Sequence, residues 1–354
     1  MYKYTHFIPQ NIAPIGAKKI GVYDENGRRV AQFGLGTLAM PNIGTKKYSV
    51  GILSDTHTTT ITSKFGTPED TQADLKRAIK YFSEEAKAEI TCVCGDLVSF
   101  CDDGGLAKHK EIVDANKGSM EVLEIAGNHE HYSKDNVLIP LTDATIRQYT
   151  GYPLYYAVER NGDVFIMCGA VDWYNAFNQT SIQWLYETLE TNRNKRCFLF
   201  VHSFLAGEQY CGNSTGIAST VDMTASYKQV FIALLNHYKN VIYFHGHSHV
   251  MAQMQEYTEG LENPSPANYD FACGVHSVHI PSLSCPRDIS SGAREDLFEE
   301  SQGYLMDVYA NHIVLRCRDF VRGEFVPVAT YCLNTPLQIV ASNTFTDSTG
   351  TINT

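Results

Sequence analysis

The chain has no Cys-x-x-Cys pair and no framework spacing among its ten cysteines. Zinc-finger chemistry is therefore unsupported. Cys92 and Cys94 alternate on one apolar stretch and read as a pair of small buried residues. No run of about 18 apolar residues is present to span a membrane. The opening stretch, MYKYTHFIPQ, lacks the apolar run of a signal peptide. These absences lead to the expectation of a cytoplasmic protein with no membrane partner. Positive charge is also scarce, with 28 Lys and Arg against 39 Asp and Glu, a formal net charge of -11. Polyanions select basic surfaces, so the balance argues against broad nucleic-acid binding. There is no internal repeat. What remains is ordinary globular composition, 44% hydrophobic over 354 residues. That length fits about two domains, or one large α/β domain with additions.

Hydrophobic periodicity divides the chain into alternating elements. Residues 19–33 predict a β-hairpin turning at Asn26-Gly27. Strands are predicted at 46–55, 90–96, 120–130, 196–203 and in NVIYFHGHSH, and two more around Asn161-Gly162 within 154–170. Helices are predicted at 69–89, near 105–117, and at 141–150, 180–192 and 224–239. In the first of them Leu75, Ile79 and Phe82 recur at helical spacing. Residues 303–320 predict a closing hairpin turning at Asn311. The mixture of βαβ and hairpin segments indicates a layered α/β fold with two sheets. The last stretch, ASNTFTDSTGTINT, is a polar tail.

Five of the apolar strands run straight into a loop of metal-ligand residue types. They are Ser54-Asp55-Thr56-His57, Gly95-Asp96, Gly127-Asn128-His129-Glu130, Val201-His202 and Gly246-His247-Ser248-His249. Loops at the C-terminal ends of strands in layered α/β proteins converge on one crevice. Together they could gather two aspartates, an asparagine and several histidines, an oxygen and nitrogen mixture suited to divalent cations. The glycines before Asp96, Asn128 and His247 allow a sharp turn and close approach.

The order D-x-H, G-D, G-N-H-E, H, G-H-x-H resembles the calcineurin-like metallophosphoesterase superfamily. The likeness covers roughly residues 47–320, and FIMCGAVDWYN followed by SIQWLYETLE adds to it. The resemblance implies an αββα sandwich of two mixed sheets flanked by helices. It implies two divalent metal ions, manganese, iron or zinc. Asp55, His57 and His249 would hold the first; Asn128, His202 and His247 would complete the second; Asp96 would bridge both. His129 would face the substrate and assist the leaving group, while Glu130 would orient its loop. The implied activity is hydrolysis of a phosphomonoester or phosphodiester by a metal-bridging hydroxide, on a phosphorylated small molecule or nucleotide. No tyrosine follows Gly95-Asp96, where Leu97-Val98 stand, which disfavours a purple ferric centre.

The implied organisation is an N-terminal hairpin extension at 1–45, the metallophosphoesterase domain at 46–320, and a C-terminal extension at 321–354. Two rival readings stay open: a non-catalytic module of a larger, phage-related assembly, and a nuclease built on the same centre. Among the other residues, His245 precedes the glycine and is expected to lie behind the ligands or in the core. His131 reads as a loop residue, and His276 and His279 as structural residues beside a strand. His6, His109, His237 and His312 have no supporting pattern. Asp102-Asp103-Gly104-Gly105 reads as a solvated turn. Trp173 could stack on a substrate base or pack, and Arg287 reads as a surface salt bridge in preference to a phosphate contact.

Overall fold

Strands whose side chains are apolar on both faces must be covered on both faces. In the computed structural model, which describes residues 19–23, 29–34, 43–173, 175–204, 225–254, 275–288, 295–335 and 337, three such strands lie side by side. These are β3 (Tyr48–Leu53), β4 (Ile90–Cys94) and β5 (Glu121–Ile125), parallel, with Val50 opposite Ile90 and Ile90 opposite Glu121. The parallel crossovers are made by α1 (Pro68–Lys80) and α2 (Gly105–Asn116). Helix α1 begins where Thr67 Oγ1 accepts the Asp70 N–H, with Pro68 in its first turn. It runs into a wider turn at Tyr81–Glu85, so the predicted helix over 69–89 ends early.

On the other side of β3 the sheet continues antiparallel through β13 (Gln302–Val308), β14 (His312–Asp319) and β15 (Glu324–Asn334). The order is β15-β14-β13-β3-β4-β5. The predicted hairpin at 303–320 is β13 and β14. Strand β15 lies past residue 320, where sequence reading had placed an extension, and forms the edge of this sheet.

A second sheet has the order β10-β9-β8-β7-β6. Its strands are β6 (Tyr155–Arg160), β7 (Asp163–Cys168), β8 (Cys197–Val201), β9 (Val241–His245) and β10 (His276–His279). All neighbours run parallel except the β6–β7 hairpin. The two sheets face each other across a core of Val50, Ile52, Cys92, Cys94, Phe165, Phe198, Phe200, Phe244 and Met306. Cys92 and Cys94 are fully buried there, as their alternation predicts. Helices α1, α2 and α3 (Asp143–Thr150) cover the outer face of the first sheet. Helices α4 (Gln179–Thr191) and α5 (Ala225–His237) cover the second. The predicted αββα layering is observed.

One buried ion pair lies within the second sheet and is bonded across the layers by Tyr48 of β3. Arg196 pairs with both Asp163 oxygens, at 3.0 and 2.7 Å, and Tyr48 Oη donates to Asp163 Oδ2 at 2.6 Å. The hairpin of β1 (Lys19–Tyr23) and β2 (Arg29–Gly34) pairs antiparallel, while its turn at 26–27 lies outside the described residues. A short ribbon joins β11 (Arg287–Asp288) to β12 (Glu295–Asp296). Among the described residues, no helix is long and apolar enough to cross a membrane.

Candidate metal centre

The five polar loops converge at one edge of the sandwich. Asp55, His57 and Asp96 follow strands of the first sheet, as does Asn128; His202, His247 and His249 follow strands of the second. Asp55, His57, Asp96 and His249 bring one ligand atom each within 4.8 Å of one another, and so do Asp96, His202 and His247. Asp96 belongs to both groups. Its Oδ2 lies 3.1 Å from His202 Nε2 and 3.8 Å from His57 Nε2. His249 Nε2 lies 2.9 Å from Asp55 Oδ1 and 3.1 Å from His57 Nε2.

The backbone here is strained. Asp55, His57, Asp96, His247 and His249 all have positive φ, between 43° and 69°. A non-glycine residue in the left-handed region costs on the order of 1–3 kcal/mol and persists where the surroundings enforce it. Two glycines permit the crowding. A Cβ on Gly246 would sit 1.9 Å from Ser54 Oγ and 2.7 Å from Asp55 Oδ2. A Cβ on Gly127 would sit 2.3 Å from Asp96 Oδ1. Neither has positive φ, so both serve close approach rather than a turn; Gly95, at φ 81°, makes the turn.

Hydrogen bonds orient the donors. Asp55 Oδ2 accepts the His247 N–H at 3.0 Å, and Asp96 Oδ1 accepts the His129 N–H at 2.9 Å. His202 Nδ1 donates to the Cys94 carbonyl at 2.6 Å, which turns Nε2 toward the carboxylates. Asp55 Oδ1, Asn128 Oδ1 and His202 Nε2 are buried without a hydrogen-bond partner. Such atoms cost free energy unless something else satisfies them. A buried set of carboxylate, amide and imidazole donors with open atoms fits divalent cations. Burial disfavours charge on His202, but Asp96 and Asp55 outweigh it and push its pKa up to about 10. Burial and His202 push His247 down to about 3.

His129 stands beside the clusters, its ring 4.9 Å from that of His57. Its Nδ1 donates to the Ser99 carbonyl at 2.8 Å, which reserves Nε2 for other chemistry. Burial lowers its pKa, against the opposing pull of Asp96. Glu130 accepts the N–H of Val98 at 2.9 Å and of Gly127 at 2.6 Å, tying together the loops after β4 and β5.

Several residues are placed otherwise than the sequence suggested. Arg287 is buried: Nε binds Asp296 at 2.8 Å and Nη1 binds the Ser248 carbonyl at 3.0 Å. His131 is buried too, bonded to the Ala170 carbonyl at 3.1 Å and to the Leu141 N–H at 3.3 Å. His109, which carries no pattern, is buried between Glu124, at 2.8 Å, and Thr58, at 3.1 Å. Asp103 binds the N–H groups of Thr60 and Gly105 and is thus a fastening for the loop after His57. His245 is buried near Tyr243 and His279, outside both groups. His279 bonds the Val250 carbonyl at 2.5 Å, and His276 bonds that of Asn334 at 2.9 Å. His237 ends α5, His312 begins β14, and neither joins the centre; His6 lies outside the described residues.

Sequence reasoning missed the segment Ser282-Leu283-Ser284-Cys285. Ser282 and Ser284 hydroxyls donate to the Asp55 carbonyl at 3.1 and 3.2 Å. Cys285 Sγ lies 3.1 Å from His249 Nδ1. It also missed Phe65, stacked on His57 at 3.6 Å. Only proximity in the fold reveals either.

The model of the calcineurin-like phosphoesterase family matches residues 48–251. A purple acid phosphatase from yellow lupin (Lupinus luteus) seeds superposes with a TM-score of 0.52 at 13% identity, over 89% of this chain and 59% of that one. This chain therefore spans less than two thirds of the lupin enzyme, and at that identity the likeness concerns the fold. A phosphoesterase-like protein from Streptococcus pneumoniae gives a TM-score of 0.37 at 11% identity, over 82% of this chain and 99% of that one. No curated protein matches by sequence.

Proposed function

Because the chain belongs to the calcineurin-like phosphoesterase family, we propose that it is a metal-dependent hydrolase of phosphomonoesters or phosphodiesters. The observation that carries this reading is the pair of donor groups sharing Asp96, all buried but the half-buried His247. Asp55, His57 and His249 would hold one divalent cation, Asn128, His202 and His247 would complete a second, and Asp96 would serve both. Such a pair of cations activates water near neutral pH and neutralises the phosphoryl oxygens. Manganese, iron and zinc all suit these donors. Buried apolar Leu97 and Val98 follow Asp96, so no phenolate stands there to favour a purple ferric centre.

The residues of the chain supply position and proton transfer. Asp96 fixes the His129 backbone through its Oδ1, and Ser99 fixes the imidazole through Nδ1. His129 Nε2 is then the atom that meets the leaving-group oxygen, as a hydrogen-bond donor when the ring is protonated. Glu130 keeps the Asp96 and Asn128 loops in register by accepting from both backbones. The domain proposed to carry this activity begins near residue 46, with the β1–β2 hairpin as an N-terminal addition.

The test is reconstitution of the purified protein with Mn²⁺, followed by hydrolysis of p-nitrophenyl phosphate and bis-p-nitrophenyl phosphate. Turnover of either, dependent on bound metal, is expected. Absence of both bound metal and turnover would overturn the proposal and leave a non-catalytic module. Cleavage of single- or double-stranded nucleic acid in preference to these esters would establish the nuclease reading.

A further inference from the structure

A group of aromatic rings occupies the rim beside His129. The Trp173 ring lies 5.2 Å from the His129 ring, at 68° to it. Tyr132 lies against the same indole, 4.4 Å away and tilted by 32°, and Phe100 lies 6.4 Å beyond Tyr132. All three residues are half-buried.

Polar bonds fasten the segments that carry Trp173 and Tyr132. Asn175 donates its N–H and its side-chain amide to Asp172 Oδ1, each at 2.9 Å, which closes the turn carrying Trp173. The turn is anchored at its start, where the Ala170 N–H donates to the Ala126 carbonyl at 2.9 Å, two residues before Asn128. The Tyr132 hydroxyl donates to Asn136, and its carbonyl accepts the Cys101 N–H at 2.8 Å. Large aromatic rings left partly in water gain little from packing, whereas a ligand ring laid on them completes their burial. A fixed aromatic surface also binds at a small entropy cost, since nothing has to be ordered when the ligand arrives.

We propose that Trp173 and Tyr132 form the wall that receives a planar aromatic or heteroaromatic ring on the leaving-group side of the substrate. The substrates are then phosphoesters of ring-bearing alcohols, nucleosides included, in preference to small aliphatic ones. This rests on the phosphoesterase reading, because His129 and the donor groups place the phosphoryl end. The ring selects the ester and the metal centre acts on it.

Binding tests this without turnover. The full chain loaded with Mn²⁺ is titrated calorimetrically with 2-phenylethylphosphonate and with 2-cyclohexylethylphosphonate, which share the anion and differ in having a planar ring. The phenyl compound should bind about three- to tenfold tighter, the range of an aromatic contact. In Trp173→Ala, and in Trp173→Leu, which keeps apolar bulk, the preference should vanish while inorganic phosphate affinity and metal content stay unchanged. Equal affinities in the unmodified protein, or a preference that survives both substitutions, would overturn the proposal. Failure to bind phosphate and both phosphonates would instead remove the phosphoesterase reading, and this proposal with it.

Discussion

Asp96 Oδ1 accepts the backbone N–H of His129 at 2.9 Å, so the carboxylate common to both donor groups also positions the residue proposed to face the substrate. Its other oxygen points to His202 and His57. On the proposed assignment, one side chain links cation binding to the placement of the leaving-group residue. Asp96→Asn should lose bound metal and activity together, read by elemental analysis and by hydrolysis of p-nitrophenyl phosphate. A fully loaded, active variant would show that Asp96 does not serve both cations.

His129→Ala should keep its metal and lose rate according to the leaving group. Proton transfer from a positioned side chain contributes roughly 10²–10⁴-fold. Alkyl phosphates, which need the proton, should fall by about that factor, and p-nitrophenyl phosphate, which needs it less, by much less. Equal losses on both would assign His129 to binding alone.

Gly246→Ala should impair the site through crowding. The new methyl would meet Ser54 Oγ and Asp55 Oδ2, both inside contact distance. A destabilisation of about 1–3 kcal/mol is expected from such overpacking, together with weakened metal retention. Denaturant unfolding and metal titration would measure the two effects. Unchanged metal affinity would mean that Asp55 can retreat without consequence.

Asp74, on α1, gives a pH dependence of stability. Burial raises its pKa to about 7, against the opposing effect of Arg77. Its folded pKa therefore exceeds the unfolded value near 3.9, and the folded state binds the extra proton between them. Its contribution is present below about pH 4 and is lost as pH rises through about 7. Asp74→Asn should lose less stability than the unmodified protein across that window, by up to about 4 kcal/mol. Parallel unfolding curves at pH 4, 6 and 8 would check it; equal pH slopes would refute it.

The buried pair Arg196–Asp163, with Tyr48 bonded to the same carboxylate, should prove structural. Asp163→Ala leaves a buried guanidinium uncompensated, which costs about 3–5 kcal/mol. Metal content of the folded fraction should not change. Loss of metal from folded protein would indicate coupling between this pair and the distant centre.

The sequence made the donor residues legible because each follows an uninterrupted apolar strand, and strand ends converge in layered folds. His129 and Glu130 shared that signal. His109 did not: its partner Glu124 lies on a different element, and a lone histidine on a helix carries no mark of the strand beneath it. Ser282 and Ser284 act on a backbone carbonyl, a contact with no residue-type signature. Arg287 was misplaced because an arginine beside an aspartate suggests solvent, while here the guanidinium reaches inward to a carbonyl. Strand β15 escaped because Pro327 and Thr330 interrupt its apolar pattern. As an edge strand, it tolerates both.

The donor groups take members from both sheets, and that gives the centre a role as a gauge. Apolar contacts between Phe200, Phe244 and the facing strands have no direction, so they fix the alignment of one sheet on the other less sharply than directional bonds do. Coordination fixes it sharply, because donor atoms must meet within tenths of an ångström. On the proposed assignment, a core substitution that shifts the sheets slightly would register as lost cation affinity well before it registers as lost stability. Metal affinity would then report the alignment of the two layers.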